Sequence, residues 1–206
     1  MWILVKKRML AILVAYLLTT ALVGCDEAEN VLKNPRDGKK YKTVKIGNQT
    51  WMAENLNYEI ADSYCYNNDT SNCKKYGRLY TRDAALNACP AGWHLPSMDE
   101  FKALIETVGG EKIAGEKLKS KSGWNDGGNG SDAFGFSALP AGTWFDGGTT
   151  GDDEGFSEET VGTGFWGSTE NGNKELCEMN LVDADNAPYF NYRGRGFGNS
   201  VRCVKD

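Results

Sequence analysis

The residues able to do chemistry are few. The 206-residue chain holds one histidine, six cysteines and one knot of acids beside glycines. His94 lies in NACPAGWHLPSMDEFKALI, residues 87–105. A histidine acts as a general base only with a nucleophile and an orienting group in reach. No GxSxG elbow occurs and no cysteine has a recognisable nucleophile context, so no catalytic residue is expected. A lone histidine is also a poor start for a zinc site. Asp146, Asp152, Asp153 and Glu154 offer hard oxygen ligands on one loop, which would suit calcium. A solvated acidic loop is the simpler account of them, and no other cofactor is expected. The remaining resource is aromatic. Trp124 and Trp144 stand beside Gly/Asp stretches, where an exposed ring could stack on a sugar or anchor a partner.

The cysteines bear on compartment. Lys6-Lys7-Arg8 form a basic stretch, and Met9 to Val23 an apolar one of 15 residues, too short to span a bilayer comfortably. Leu22-Val23-Gly24-Cys25 follows, and small residues ahead of a cysteine at this place resemble a bacterial lipobox. Residues 1–24 are therefore expected to be a lipoprotein signal peptide and Cys25 the lipidated residue. Its acyl chains would hold the protein on a membrane at roughly 0.8 kcal/mol per buried CH₂. A plain secretory signal cut near Gly24, or an uncleaved anchor, is the alternative. The expected location is the bacterial cell envelope, exported, on either membrane. Export permits disulfides among Cys65, Cys73, Cys89, Cys177 and Cys203. Cys65 and Cys73 bracket CYNNDTSNC, a polar stretch that needs a staple. Cys89 and Cys203 flank the two ends of the apparent domain, and closing that loop would stabilise by about 4–5 kcal/mol in the chain-entropy model. Cys177 is then left over, and is expected as a buried free thiol in a strand.

These residues need elements to position them. Hydrophobic residues make up 40% of the chain, enough for a core, while 25 glycines favour turns over long helices. Net charge is −5; without Lys6, Lys7 and Arg8 of the signal, 20 basic groups face 28 acidic ones, or −8. That balance makes nucleic acid an unfavourable partner. Residues 25–40 are charged and poor in apolar residues, and read as a flexible tether. The domain is expected over 41–206. YKTVKIGNQTWM predicts a hairpin turning at Gly47-Asn48. Thr81 can cap a short helix over Arg82–Ala88. Ser97 and Glu100 form the S-x-x-E of a capping box, and Phe101, Leu104, Ile105 and Val108 share one face of the helix it opens. Gly109-Gly110 ends it. FGFSALPAGTWF, GFWGST, ELCEMNLV, PYFNYR and NSVRCVKD read as strands. Helices early and strands late predict an α+β fold with a mostly antiparallel sheet. Long Gly/Asp loops at 121–132 and 143–163 are the expected binding edge.

DGKKYKTVKIGNQTWMAENLNY, KYGRLYT, ACPAGWHLPS, GFSALPAG, FW-x-ST and SVRCVKD stand in this order. Together they resemble the Fibrobacter succinogenes major paralogous domain, over about residues 36–206. That family resembles, more distantly, the C-type-lectin-like fold shared with formylglycine-generating enzymes. The resemblance implies two helices packed on short, mostly antiparallel strands with long Gly-rich loops. It implies that Cys89 and Cys203 pair between the end of the first helix and the last strand. GWHLPSMDE matches the segment leading into the second helix, where Arg is common, which implies that His94 is a hydrogen-bonding strut under the cap. Trp124-Asn125-Asp126 spells the WND of calcium lectins but lacks its EPN-like partner and lies too early. Oxidase chemistry would need paired cysteines in the second half, and Cys203 is already needed for the staple. The expected protein is thus a non-catalytic envelope lipoprotein that binds a polysaccharide or a surface protein. An oxidase of the formylglycine-generating type, or a purely structural envelope protein, is the alternative.

Overall fold

A computed structural model describes residues 30–147 and 155–206. The first strands are β1 (Val31–Lys33), β2 (Lys40–Ile46), β3 (Gln49–Met52), β4 (Ser63–Tyr64), β5 (Leu79–Thr81) and β6 (Trp93–His94). The later ones are β7 (Ala141–Phe145), β8 (Gly155–Glu159), β9 (Gly162–Glu170), β10 (Leu176–Val182), β11 (Tyr189–Arg193), β12 (Phe197–Ser200) and β13 (Val204–Lys205). Four α-helices lie among the described residues: α1 (Thr70–Tyr76), α2 (Arg82–Ala85), α3 (Met98–Thr107) and α4 (Glu111–Leu118). The class is α+β, with two open sheets. The smaller has the order β1-β2-β3-β13-β6; the larger runs β11-β10-β9-β7-β12-β5-β4, with β8 on β7. Pairing is antiparallel except at β7–β9 and β9–β12.

Local sequence explains the strongest elements. β2 and β3 close on the two-residue turn Gly47-Asn48, with Ile46 opposite Gln49. At the start of α3, Ser97 Oγ accepts from the Glu100 amide at 3.2 Å, and the Glu100 carboxylate accepts from the Ser97 amide at 2.8 Å. The apolar face of α3 then buries Phe101, Leu104 and Ile105 against Trp51, Phe136, Phe165 and Met179. A second cluster gathers Tyr80, Leu95, Trp166, Leu176, Val201 and Cys203.

The structure corrects several expectations. Residues 30–40 are not tether. β1 pairs with β2, Leu32 is buried, and Arg36 donates to the carbonyls of Asn87 and Ala88. A single apolar anchor among charges does not show in composition. Among the described residues there are four α-helices rather than two. α1 forms inside the polar stretch because Asp69 caps it, accepting from the Ser71 amide at 2.8 Å, and because Cys73 is bonded to Cys65. α4 is disguised by Gly115, which is required because a Cβ there would lie 2.7 Å from the Asn186 carbonyl oxygen. The stretch GFSEE, expected as loop, is β8. NSVRCVKD is not one strand: β12 lies in the larger sheet and β13 in the smaller, with Val201–Cys203 crossing between them.

That crossing is the centre of the molecule. Arg202 is fully buried. Its Nε donates to Asn55 Oδ1 at 2.7 Å, Nη2 to the Ser137 carbonyl at 2.9 Å, and Nη1 to the Phe136 carbonyl. The guanidinium also lies 4.4 Å from the centre of the Phe136 ring. Burial pushes its pKa down to about 9, against the attraction of Asp132 and Glu54, and it stays charged at neutral pH. Next to it, Cys203 is bonded to Cys89.

Candidate functional site

Strand alternation builds an unusual corner on the larger sheet. In β10, Cys177, Met179 and Leu181 point one way, so Glu178 and Asn180 point the other. Residues opposite one another in a sheet share a face. Glu178 faces Asn191 of β11 and Trp166 of β9, while Asn180 faces Tyr189 and Gly164. β12 brings in Asn199. The Glu178 residue is 2% exposed. Its carboxylate accepts from Arg193 Nε at 2.9 Å, from Asn191 Nδ2 at 3.4 Å and from Asn199 Nδ2. A buried carboxylate is tolerated only with such donors.

Two groups beside it are left over. Asn180 Nδ2 and Asn199 Oδ1 are buried and have no hydrogen-bond partner among the described residues. A buried unpaired amide group costs roughly 1–3 kcal/mol, so each of the two calls for a partner. Gly164 lets these side chains pack close over β9: a Cβ there would come within 2.8 Å of Asn199 Oδ1 and 3.2 Å of Glu178 Oε2. Glu158, exposed as a residue, reaches inward with its carboxyl over Gly162. Loss of solvent raises its pKa first and the charge of Glu178 second, with Arg193 opposing. Tyr189, 43% exposed, forms the outer wall. The corner thus packs a carboxylate, amide groups and a guanidinium beside one exposed ring, Tyr189.

The residues singled out in the sequence lie elsewhere. Trp124 and Trp144 are each 5% exposed, which corrects the expectation that they stand free. Trp124 Nε1 donates to Ser120 Oγ and the Ala138 carbonyl, both at 3.1 Å. Its glycine-rich loop folds down because Gly130 has no side chain: a Cβ would lie 2.3 Å from the Lys119 carbonyl oxygen. Trp144 stacks on Tyr64 with ring centres 4.5 Å apart. Buried rings offer no stacking face to a ligand. Of the proposed calcium ligands, Asp146 lies against Gly196, its amide donating to the Gly196 carbonyl at 3.0 Å. Asp152, Asp153 and Glu154 lie outside the described residues, as does Cys25. Among the described residues no three acidic, histidine or cysteine side chains converge for a metal. Cys65–Cys73 and Cys89–Cys203 are both disulfides, and Cys177 is a buried thiol whose pKa burial raises.

His94 is a bridge between two carboxylates. Nδ1 lies 2.7 Å from Asp206 and Nε2 lies 2.8 Å from Glu100, the capping-box residue of α3. Burial lowers its pKa, but the two carboxylates outweigh this and the net shift is upward. Such a group contributes stability that is complete below its unfolded pKa of roughly 6.5 and lost as pH rises through the higher folded value. His94→Gln is therefore expected to destabilise more at about pH 5.5 than at about pH 9. The difference should stay below about 1 kcal/mol, since the ring is 40% exposed and solvent screens both pairs. Thermal unfolding of both proteins at the two pH values checks this; equal losses would mean that the histidine charge plays no part.

The family model of the Fibrobacter succinogenes major domain matches residues 44–205. The chain belongs to this family. No curated protein and no solved structure matches it. Within this Fibrobacter succinogenes major domain, several of the ordered motifs meet at one place. Asn55 of WMAENL, Phe136 and Ser137 of GFSALPAG and Arg202 of SVRCVKD are the buried guanidinium and its acceptors. Those motifs specify the core. Of the corner's polar residues, only Asn199 adjoins one of them.

Proposed function

We propose that this Fibrobacter succinogenes major domain is the binding part of a cell-envelope lipoprotein and that its ligand is a polysaccharide held at the Glu178 corner. The observation that carries this is the buried, unpaired Asn180 Nδ2 and Asn199 Oδ1 beside the buried Glu178 carboxylate. Saccharide hydroxyls donate and accept at once, so one hydroxyl could satisfy the amide donor and its neighbour the amide acceptor. Tyr189 supplies the ring on which a sugar face stacks.

Anchoring belongs to the same reading. Cys25 would carry the acyl chains, and the domain would begin only a few residues later, at Asn30. Among the described residues no helix is long and apolar enough to cross a membrane. A non-catalytic role is supported by the cysteines, since Cys203 is engaged with Cys89 and Cys177 is inaccessible. The C-type-lectin-like resemblance fits two sheets and laterally packed helices but adds no ligand.

The test is a panel of soluble neutral plant and bacterial glycans titrated against the full chain by calorimetry. Millimolar or tighter binding is expected for at least one, weakened about tenfold by Asn180→Ala, which removes one hydrogen bond of roughly 1–1.5 kcal/mol. Silence of the whole panel at millimolar concentration would discard the carbohydrate ligand. Shortened glycan chains after incubation would discard the non-catalytic role.

A further inference from the structure

The chain is acidic, yet one cleft is basic. A cavity of about 630 Å³ opens between the start of β2, the end of α1 and the segment 135–139. Lys39, Lys40, Lys42, Lys74 and Lys75 line it, with Glu54 as the only carboxylate in its wall among the described residues and Arg202 at its floor. Lys39 leans on Asp37 at 3.8 Å and Lys75 on Glu159 at 3.8 Å. Lys40, Lys42 and Lys74 have no carboxylate within ion-pair distance among the described residues, and all three are exposed. Glu54 is tied to the chain, accepting from the Lys42 amide at 2.7 Å. One rim is fixed covalently, because Cys73, just ahead of Lys74 and Lys75, is bonded to Cys65. Five like charges repel one another. Gathering them along one cleft concentrates positive potential there, and raises the local concentration of anions.

We propose that this cleft binds a carboxylate-bearing saccharide, of the uronate class, as a second site. It shares no residue with the Glu178 corner and stands independently of the reading given to that corner. The shape favours a chain-like anion over a membrane, because a flat bilayer cannot enter a concavity. The sequence agrees: Asp26, Glu27 and Glu29 lie between Cys25 and the first described residue and would repel an anionic lipid surface. The volume falls in the range of small-ligand sites, which suits a few sugar units with their carboxylates directed at Lys40, Lys42 and Lys74.

The experiment titrates oligogalacturonate into the full chain in detergent, with an uncharged glucan of equal length, inorganic phosphate and phosphatidylglycerol vesicles as parallel probes. Oligogalacturonate is expected to bind, the uncharged glucan not to compete for the same site, and the affinity to fall steeply as salt rises from about 50 to about 500 mM. The triple substitution Lys40→Gln, Lys42→Gln, Lys74→Gln is expected to weaken binding tenfold or more. The triple substitution Lys45→Gln, Lys102→Gln, Lys112→Gln removes equal charge away from the cleft and is expected to change it less than threefold. Equal effects of the two triples would reduce the attraction to net charge and overturn the site. Binding to the vesicles or to phosphate as tight as to oligogalacturonate would overturn the ligand class. Loss of oligogalacturonate binding in Asn180→Ala would move the ligand to the Glu178 corner and overturn the cleft.

Discussion

Arg202→Met is expected to lower the free energy of unfolding by about 3–5 kcal/mol. Methionine fills much of the space and removes a charge whose burial is itself unfavourable. Against that gain, Asn55 Oδ1 and the carbonyls of Phe136 and Ser137 lose the donor that all three share. Each stranded acceptor costs roughly 1–3 kcal/mol, so the loss outweighs the gain. The cation also leaves the face of Phe136. Arg202→Lys should fall between, since an ammonium is a point charge and cannot reproduce a planar fork aimed at three acceptors. Urea unfolding with a common slope for the three proteins measures the differences. A methionine variant within about 1 kcal/mol of the parent would show that the acceptors relax and find other donors.

The second large effect belongs to the long disulfide. Cys89 and Cys203 are 114 positions apart, and the chain-entropy model assigns such a loop about 4.5–5 kcal/mol. The double substitution Cys89→Ala, Cys203→Ala is expected to lose about 3–5 kcal/mol, the lower end if the unfolded chain keeps residual structure. Cys65 and Cys73 are only 8 apart, so Cys65→Ala, Cys73→Ala should lose less, about 2.5 kcal/mol. Urea unfolding of both variants against the oxidised parent decides the ranking. A larger loss from the short loop would mean that native packing around α1, and not loop closure, sets the scale.

What the sequence disclosed follows the range of the interaction that decides each feature. The capping box of Ser97 and Glu100 spans three residues, so it and the apolar face of α3 were readable directly. The β2–β3 turn was equally local. Trp124 was misread because glycines around an aromatic residue look like an exposed loop; the folded chain uses Gly130 to press that loop onto Lys119 and bury the ring. β1 was missed because one buried leucine cannot offset the charges around it in a composition window. The Glu178 corner left a trace in the alternation of LCEMNLV, where Glu178 and Asn180 interrupt an apolar run. Alternation says only that two residues share a face. That the face is closed by Asn191, Arg193 and Asn199 depends on strands β11 and β12, which no local pattern places. The basic cleft was hidden for the same reason: its lysines come from two stretches more than thirty positions apart, one of them taken for tether.

The interior position of β12 and β13 also governs when the protein can exist. β12 separates β7 from β5, and β13 separates β3 from β6. A polypeptide made from its amino end therefore carries unfinished sheet edges until residues 197–205 arrive, while the thiol of Cys89 waits for its mate. Neither sheet can reach its final order before that stretch is made. A nascent segment lacking that final stretch leaves both sheets split, and is not a smaller version of the same domain.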